Sequence, residues 1–270
     1  MSTTTVAPRT ALPAIEPIPF RRLLGVEFRK SYDTRSSFWL LVTIAIMVLG
    51  GEVIALIVVG THDTTGVDFG TFSTVAGFLS SVLLPVLGIL LVSSEWSQRT
   101  AMVTFALEPR RGRVIWAKLV VGIELALITI VGALGLGAIC NVIYGTFPNK
   151  VTDWANAGDM IHGIIGFTIL QILNMLVGFA LASLCLSSPT AIVVFFIYSF
   201  LVPTIIGIAS ALMHWFKEFA PWIDFNAAQG KIFDWDMGGK DWAHLLVSGF
   251  IWVVVPFFLG AWRIFHAEVK

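Results

Sequence analysis

Charge is scarce in this chain. Only 13% of its 270 residues are Asp, Glu, Lys or Arg, about half of what a soluble domain carries. With 57% apolar residues, this shortage excludes an ordinary soluble fold and points to the membrane. Net charge is zero, which argues against a nucleic-acid partner. Only two cysteines occur, Cys140 and Cys185. They fall near the ends of successive antiparallel spans, on opposite sides, so no disulfide between them is expected. The phosphate-loop pattern Gly-x-x-x-x-Gly-Lys-[Ser/Thr] is missing. The five histidines show no metal-ligand spacing and no His-Glu-x-x-His signature. Asp234, Asp236 and Asp241 do not match a Ca²⁺ loop, so no metal site is expected and no catalytic residues are assigned.

Six long apolar runs are present instead, at about 37–60, 71–94, 114–145, 161–187, 189–213 and 242–263. Each reaches the roughly 20 residues a spanning helix needs. Ser187-Ser188-Pro189-Thr190 separates the fourth from the fifth, because Ser-Pro stops one helix and starts the next. Residues 1–19 are polar and Pro/Thr-rich and lack the apolar core of a cleaved signal peptide. They read as a disordered cytoplasmic tail, and 264–270 as a second short tail.

The cations are segregated. With the N-terminus inside, the inner segments hold thirteen of the seventeen Lys and Arg, and the outer loops hold Lys150, Lys217, Lys231 and Lys240. This places both termini in the cytoplasm. Five of the inner cations crowd into 95–118: Arg99, Arg110, Arg111, Arg113 and Lys118. That connector is long enough for a short helix at about 97–106, stopped near Pro109. Its mixture of Gln98, Arg99, Thr100, Met102, Val103 and Phe105 suits a surface that a soluble partner grips. An ordinary positive-inside loop is the plainer alternative.

Residues 20–35 read as an interfacial amphipathic helix. Phe20, Leu23, Leu24, Phe28 and Tyr32 recur at helical spacing, with Arg21, Arg22, Arg29 and Lys30 mostly elsewhere on the wheel. Such a helix lies against membrane lipids. Glu27 falls on the apolar face, where a carboxylate needs a partner. It either forms a salt bridge toward the 95–118 region, or the helix is rotated and Glu27 is solvated.

Several elements together resemble the membrane subunit of a type-2 ABC exporter, the ABC-2 permease family. They are the basic segment ending Glu27-Phe28-Arg29-Lys30, the Glu95…Thr100 pair after the second span, and the Pro109…Arg113…Lys118 run. The six-span layout, with a long outer connection before the last span, also matches. In that family a small residue and one Arg follow the proline; here two arginines and a glycine follow Pro109. The resemblance implies a permease in the plasma (inner) membrane. It would work as a dimer with a second permease chain, identical or related, and with two copies of a separate ABC ATPase. ATP and magnesium would reside on that ATPase, with no cofactor and no enzyme activity on this chain. Glu27, Glu95, Gln98, Arg99, Thr100, Met102, Pro109 and Arg113 would be the ATPase-coupling residues. Substrate export out of the cell follows from the same resemblance.

Two further regions stand out. Residues 214–241 are too polar to span and too aromatic for a free loop, and read as one or two short helices re-entering the outer leaflet. Within the spans, Glu52, Glu124, Asn141, Gln171 and Asn174 are polar. Of these Glu124, Gln171 and Asn174 are the candidates for a substrate path, although amides at depth also serve as interhelical hydrogen bonds. Pro85, Pro203 and Pro256 sit mid-span as possible kinks. Gly132, Gly135 and Gly137 with Ala133 offer a small-residue face. The expected fold is an all-α membrane protein with six transmembrane helices, an N-terminal interfacial helix, a cytoplasmic coupling helix and short re-entrant helices before the last span. A hydrophobic or amphipathic substrate suits the mostly apolar spans. The rival readings are an ion-coupled secondary transporter, with Glu52 or Glu124 as the coupling carboxylate, and a non-transporting membrane anchor.

Overall fold

A computed structural model describes residues 18–62, 66–154, 157–233 and 237–267. The elements are α1 (Phe20–Asp33), α2 (Arg35–Thr61), β1 (Gly66–Asp68), α3 (Phe69–Ser97), α4 (Ala101–Leu107), α5 (Arg111–Tyr144), β2 (Val151–Asp153) and α6 (Ala157–Cys185). The chain continues through α7 (Ser188–Leu212), α8 (His214–Ile223), α9 (Phe225–Phe233) and α10 (Gly239–His266). Six of these, α2, α3, α5, α6, α7 and α10, are long and apolar enough to cross a membrane. Helix is what such runs must form, because hydrocarbon offers no partner to an open backbone group. The expected span limits lie within a few residues of the helices. The last one runs on to His266 rather than ending at 263. Most of the N-terminal tail and residues 268–270 lie outside the described residues, as do Asp234 and Asp236.

Local chemistry sets the helix ends. Thr34 adopts an extended conformation and separates α1 from α2. Asp68 caps α3 by accepting from the Thr71 amide at 3.0 Å. Pro189 occupies the first turn of α7. At the end of the bundle remote from the Arg-rich loop, β1 and β2 pair in parallel, Gly66 opposite Val151.

α3 and α6 form the centre: half of each apolar stretch is buried, against 17% for α2, which lies at the periphery. Their contact is close because glycine faces backbone in both directions. A Cβ on Gly88 would lie 2.7 Å from the Met175 carbonyl oxygen, and one on Gly178 would collide with the Pro85 carbonyl. Pro85 therefore sits in an uninterrupted, tightly backed helix. Gly132 and Gly135 have no neighbour within 4 Å, so the small-residue face expected on α5 packs closely only around Ala133 and Gly137.

α7 and α10 differ. Each contains a single π-turn, Ile197–Leu201 and Phe250–Val254. In each, the amide after the turn reaches back five residues, Val202 to the Ile197 carbonyl and Val255 to the Phe250 carbonyl. Pro203 and Pro256 follow directly. A proline has no N–H for the carbonyl four residues back, and its ring crowds that carbonyl; the one-residue slip accommodates both.

Candidate functional site

Four charged side chains meet at the Arg-rich end of the bundle. Glu27 in α1 bonds Lys30 through Oε1 at 2.7 Å and Lys118 of α5 through Oε2 at 2.7 Å. Glu95 in α3 bonds the same two ammonium groups at 2.8 and 3.2 Å. Two carboxylates and two ammonium groups thus alternate with no net charge. Glu27 is 1% exposed, Lys118 7% and Glu95 8%. Charges buried this deeply are tolerated only when paired and hydrogen-bonded. Lys30 also reaches Thr104 Oγ1 of α4 at 3.4 Å, a long contact. Burial alone would lower the Lys30 pKa, but the Glu95 and Glu27 carboxylates outweigh it and hold the ammonium above its ordinary value.

The expectation that Glu27 needs a partner is met, and one of its partners lies 91 residues away in sequence. The face of α1 turned inward carries Leu23, Glu27 and Ser31. Phe20 and Tyr32, expected on that face, are exposed at 38% and 45%. The inward stripe follows the ion pairs of Glu27, and the aromatic rings of Phe20 and Tyr32 are left exposed.

The helix expected at 97–106 is shifted. α3 runs on through Ser97, the chain breaks at Gln98–Thr100, and α4 begins at Ala101. Arg99 makes the break with φ at 58°. The Thr100 amide then bonds the Glu95 carbonyl at 2.8 Å. The reversal lays α4 across the charge cluster and leaves a cavity of about 320 Å³, lined by Glu27, Lys30, Glu95, Gln98, Thr100 and Thr104. Val103 lines it as well and is 60% exposed, whereas Met102 and Leu107 lie outside it, 51% and 71% exposed. Phe105 is held between Trp96, ring centroids 6.0 Å apart, and the Arg111 guanidinium, 5.1 Å from its ring. Pro109 sits in the short link between α4 and α5, and Arg113 pairs with the buried Glu108 at 2.8 Å.

Of the site residues expected here, Glu27, Glu95, Gln98 and Thr100 come together. Met102 lies on the outer side of α4, Arg99 at its hinge and Arg113 at its far end. Lys30, Thr104, Lys118 and Arg111 were not among them. Arg111 donates to the carbonyls of Ile264, Phe265 and Ala267, closing the end of α10. Its place in an Arg-rich run was visible, but its target is not local.

The intramembrane polar residues divide three ways. Asn174 lines a cavity of about 310 Å³ with Ser81, Ser199, Phe200, Asn226 and Gln229. Gln229 is 2% exposed with neither amide atom bonded. Gln171 does not join it: its Nε2 donates to the Gly77 carbonyl at 2.9 Å and ties α6 to α3. Glu124 is exposed on α5, away from this cavity. Glu52 and Asn141 are fully buried, and their side-chain polar atoms have no partner. Both cysteines are free.

The fold and these sites define the class: a helical, multi-pass membrane protein with a buried charge cluster at one end and an uncharged polar cavity within. No protein-family model and no curated protein matches the chain.

Proposed function

We propose that this chain is the membrane-spanning permease subunit of a type-2 ABC exporter. Two permease chains and two copies of a separate ATPase would make the complete machine in the plasma membrane, termini cytoplasmic. The supporting observation is α4. It is a short helix with three exposed apolar side chains, braced on the bundle through the Lys30–Thr104 contact and through Phe105, which packs on Trp96 and Arg111. Apolar groups held rigidly at the polar end of a membrane bundle suit insertion into a groove of a soluble partner. The bracing joins α4 to α1, α3 and α5, so force on α4 reaches the spans. ATP binding would close the ATPase pair, and the two states must differ in affinity for nucleotide and substrate for work to be done.

α1 then lies along the inner leaflet, and α8 and α9 dip into the outer one. The cavity of Asn174 and Gln229, apolar walls with uncharged amides and hydroxyls, suits a hydrophobic or amphipathic substrate.

The test is purification from the native membrane in mild detergent. The reading expects a stoichiometric nucleotide-hydrolysing subunit, lost when Met102, Val103 and Leu107 are changed together to Ser while the chain still folds. A chain that comes away alone, with residues 98–110 open to protease, contradicts it. A secondary transporter is the alternative, favoured by one observation, the unpartnered buried Glu52. Transport that persists without ATP and stops in Glu52→Gln would select it.

A further inference from the structure

The two π-turns touch. Tyr198 and Trp252, one in each turn, pack with ring centroids 4.7 Å apart. Helical bonding is thus interrupted in α7 and α10 where the two helices meet. The described residues between the turns, 202–233 and 237–249, comprise the outer parts of both helices together with α8 and α9.

That segment is tied to itself. Trp222 of α8 packs on His244 of α10 at 4.5 Å. Lys231 of α9 pairs with Asp241 of α10 at 2.6 Å. Gly249 lets the Phe225 ring approach so closely that a Cβ there would lie 3.0 Å from it. A cavity of about 380 Å³ is lined wholly from within the segment, between Pro203 and His244. Trp252 Nε1 donates to the Ile223 carbonyl at 2.8 Å, latching the end of α8 onto the turn in α10.

The other cavity is shared. Ser81 and Asn174 come from α3 and α6, and Asn226, Gln229 and Gly230 come from α9 inside the segment. Gln229 is buried there with both amide atoms unbonded, and the Tyr198 hydroxyl is likewise buried without a partner. Buried polar groups without partners disfavour the state that holds them, and a state in which they gain partners relieves that cost.

We infer that the described residues between the turns, 202–233 and 237–249, form a lid that swings as one unit about the paired π-turns and widens the Asn174–Gln229 cavity. π-turns and the prolines after them are recognised bending points in helices. Two at one crossing give the unit a common axis, with the Tyr198–Trp252 contact as its bearing and the Trp252–Ile223 bond as its latch. This holds whether or not an ATPase drives the chain.

The test uses the full chain in lipid nanodiscs with a polar maleimide as probe. Gln229→Cys reports lid opening in a Cys185→Ser background, and the buried native Cys140 reports general loosening. An open state near 1% would rise about tenfold when the latch is cut. Trp252→Phe keeps a ring against Tyr198 but loses the bond to Ile223, and should raise labelling of Gln229→Cys about tenfold with Cys140 still unreactive. Pro203→Ala with Pro256→Ala restores regular bonding and should slow labelling below the reference. Unchanged labelling in Trp252→Phe overturns the lid, as does a parallel rise at Cys140. That arm decides alone if the double proline variant fails to fold.

Discussion

The two ends of the bundle treat buried polarity in opposite ways. At the Arg-rich end, Glu27, Lys30, Glu95 and Lys118 satisfy one another across three helices, and only the neighbouring Thr34 hydroxyl is left unbonded there among the described residues. Deeper in the bundle and toward the far end, Glu52, Asn141 and Gln229 are buried without partners. A closed ion network resists displacement, because moving any member strands another charge in a poor solvent. Unbonded groups do the reverse and favour rearrangement. The prolines also differ, by helix and not by depth. Pro85 lies in an unbroken helix, its carbonyl backed by Gly178, whereas Pro203 and Pro256 each follow a π-turn. One end holds its buried charges in a closed network, and the other leaves buried polar groups unpaired.

The largest expected effect breaks the closed network. Glu27→Gln leaves Lys118 short of a counter-charge and should lower stability by about 3 kcal/mol, read as an early thermal melt in detergent. Glu52→Gln removes a carboxylate that has no partner, and should melt at or above the reference temperature. Equal losses from the two would erase the contrast between the ends. Next is Gly178→Ala, which pushes α3 from α6 at Pro85 and should cost about 2 kcal/mol. Gly132→Ala meets nothing within 4 Å and should be neutral or slightly stabilising. Arg111→Ala should cost about 1.5 kcal/mol and speed hydrogen exchange in residues 263–266, leaving α7 unchanged.

The smallest effect is with pH. The folded pKa of Lys30 lies above its ordinary value of 10.5. Its contribution is therefore complete below that value and lost only as pH rises through the folded pKa. Melting of wild type and Lys30→Met should differ by a constant amount from neutral pH to about 10, and converge above the raised pKa. Convergence already at neutral pH would mean the cluster is not intact.

Much of this architecture was legible because the bilayer demands long apolar helices, and periodicity reports them directly. Glu27 stood out for the same reason, as a carboxylate on an apolar stripe. Its partner Lys118 did not, because pairing across 91 residues depends on how helices cross. The start of α4 carries no sequence mark, because Arg99, not a glycine, takes the left-handed turn. Proline marked α7 and α10 as bent, but the π-turns and their contact through Tyr198 and Trp252 are tertiary. Gln229 carried no signal, since a Gln in a polar connection looks solvated.

The most direct test of the central claim, that α4 is where an ATPase grips the bundle, is a spin label at Met102→Cys, with Cys140 and Cys185 replaced, in native membranes. The account predicts an immobilised label whose mobility changes on adding ATP and magnesium, with both effects lost once peripheral proteins are stripped away. A label as mobile as in the purified chain, and indifferent to nucleotide, would contradict it.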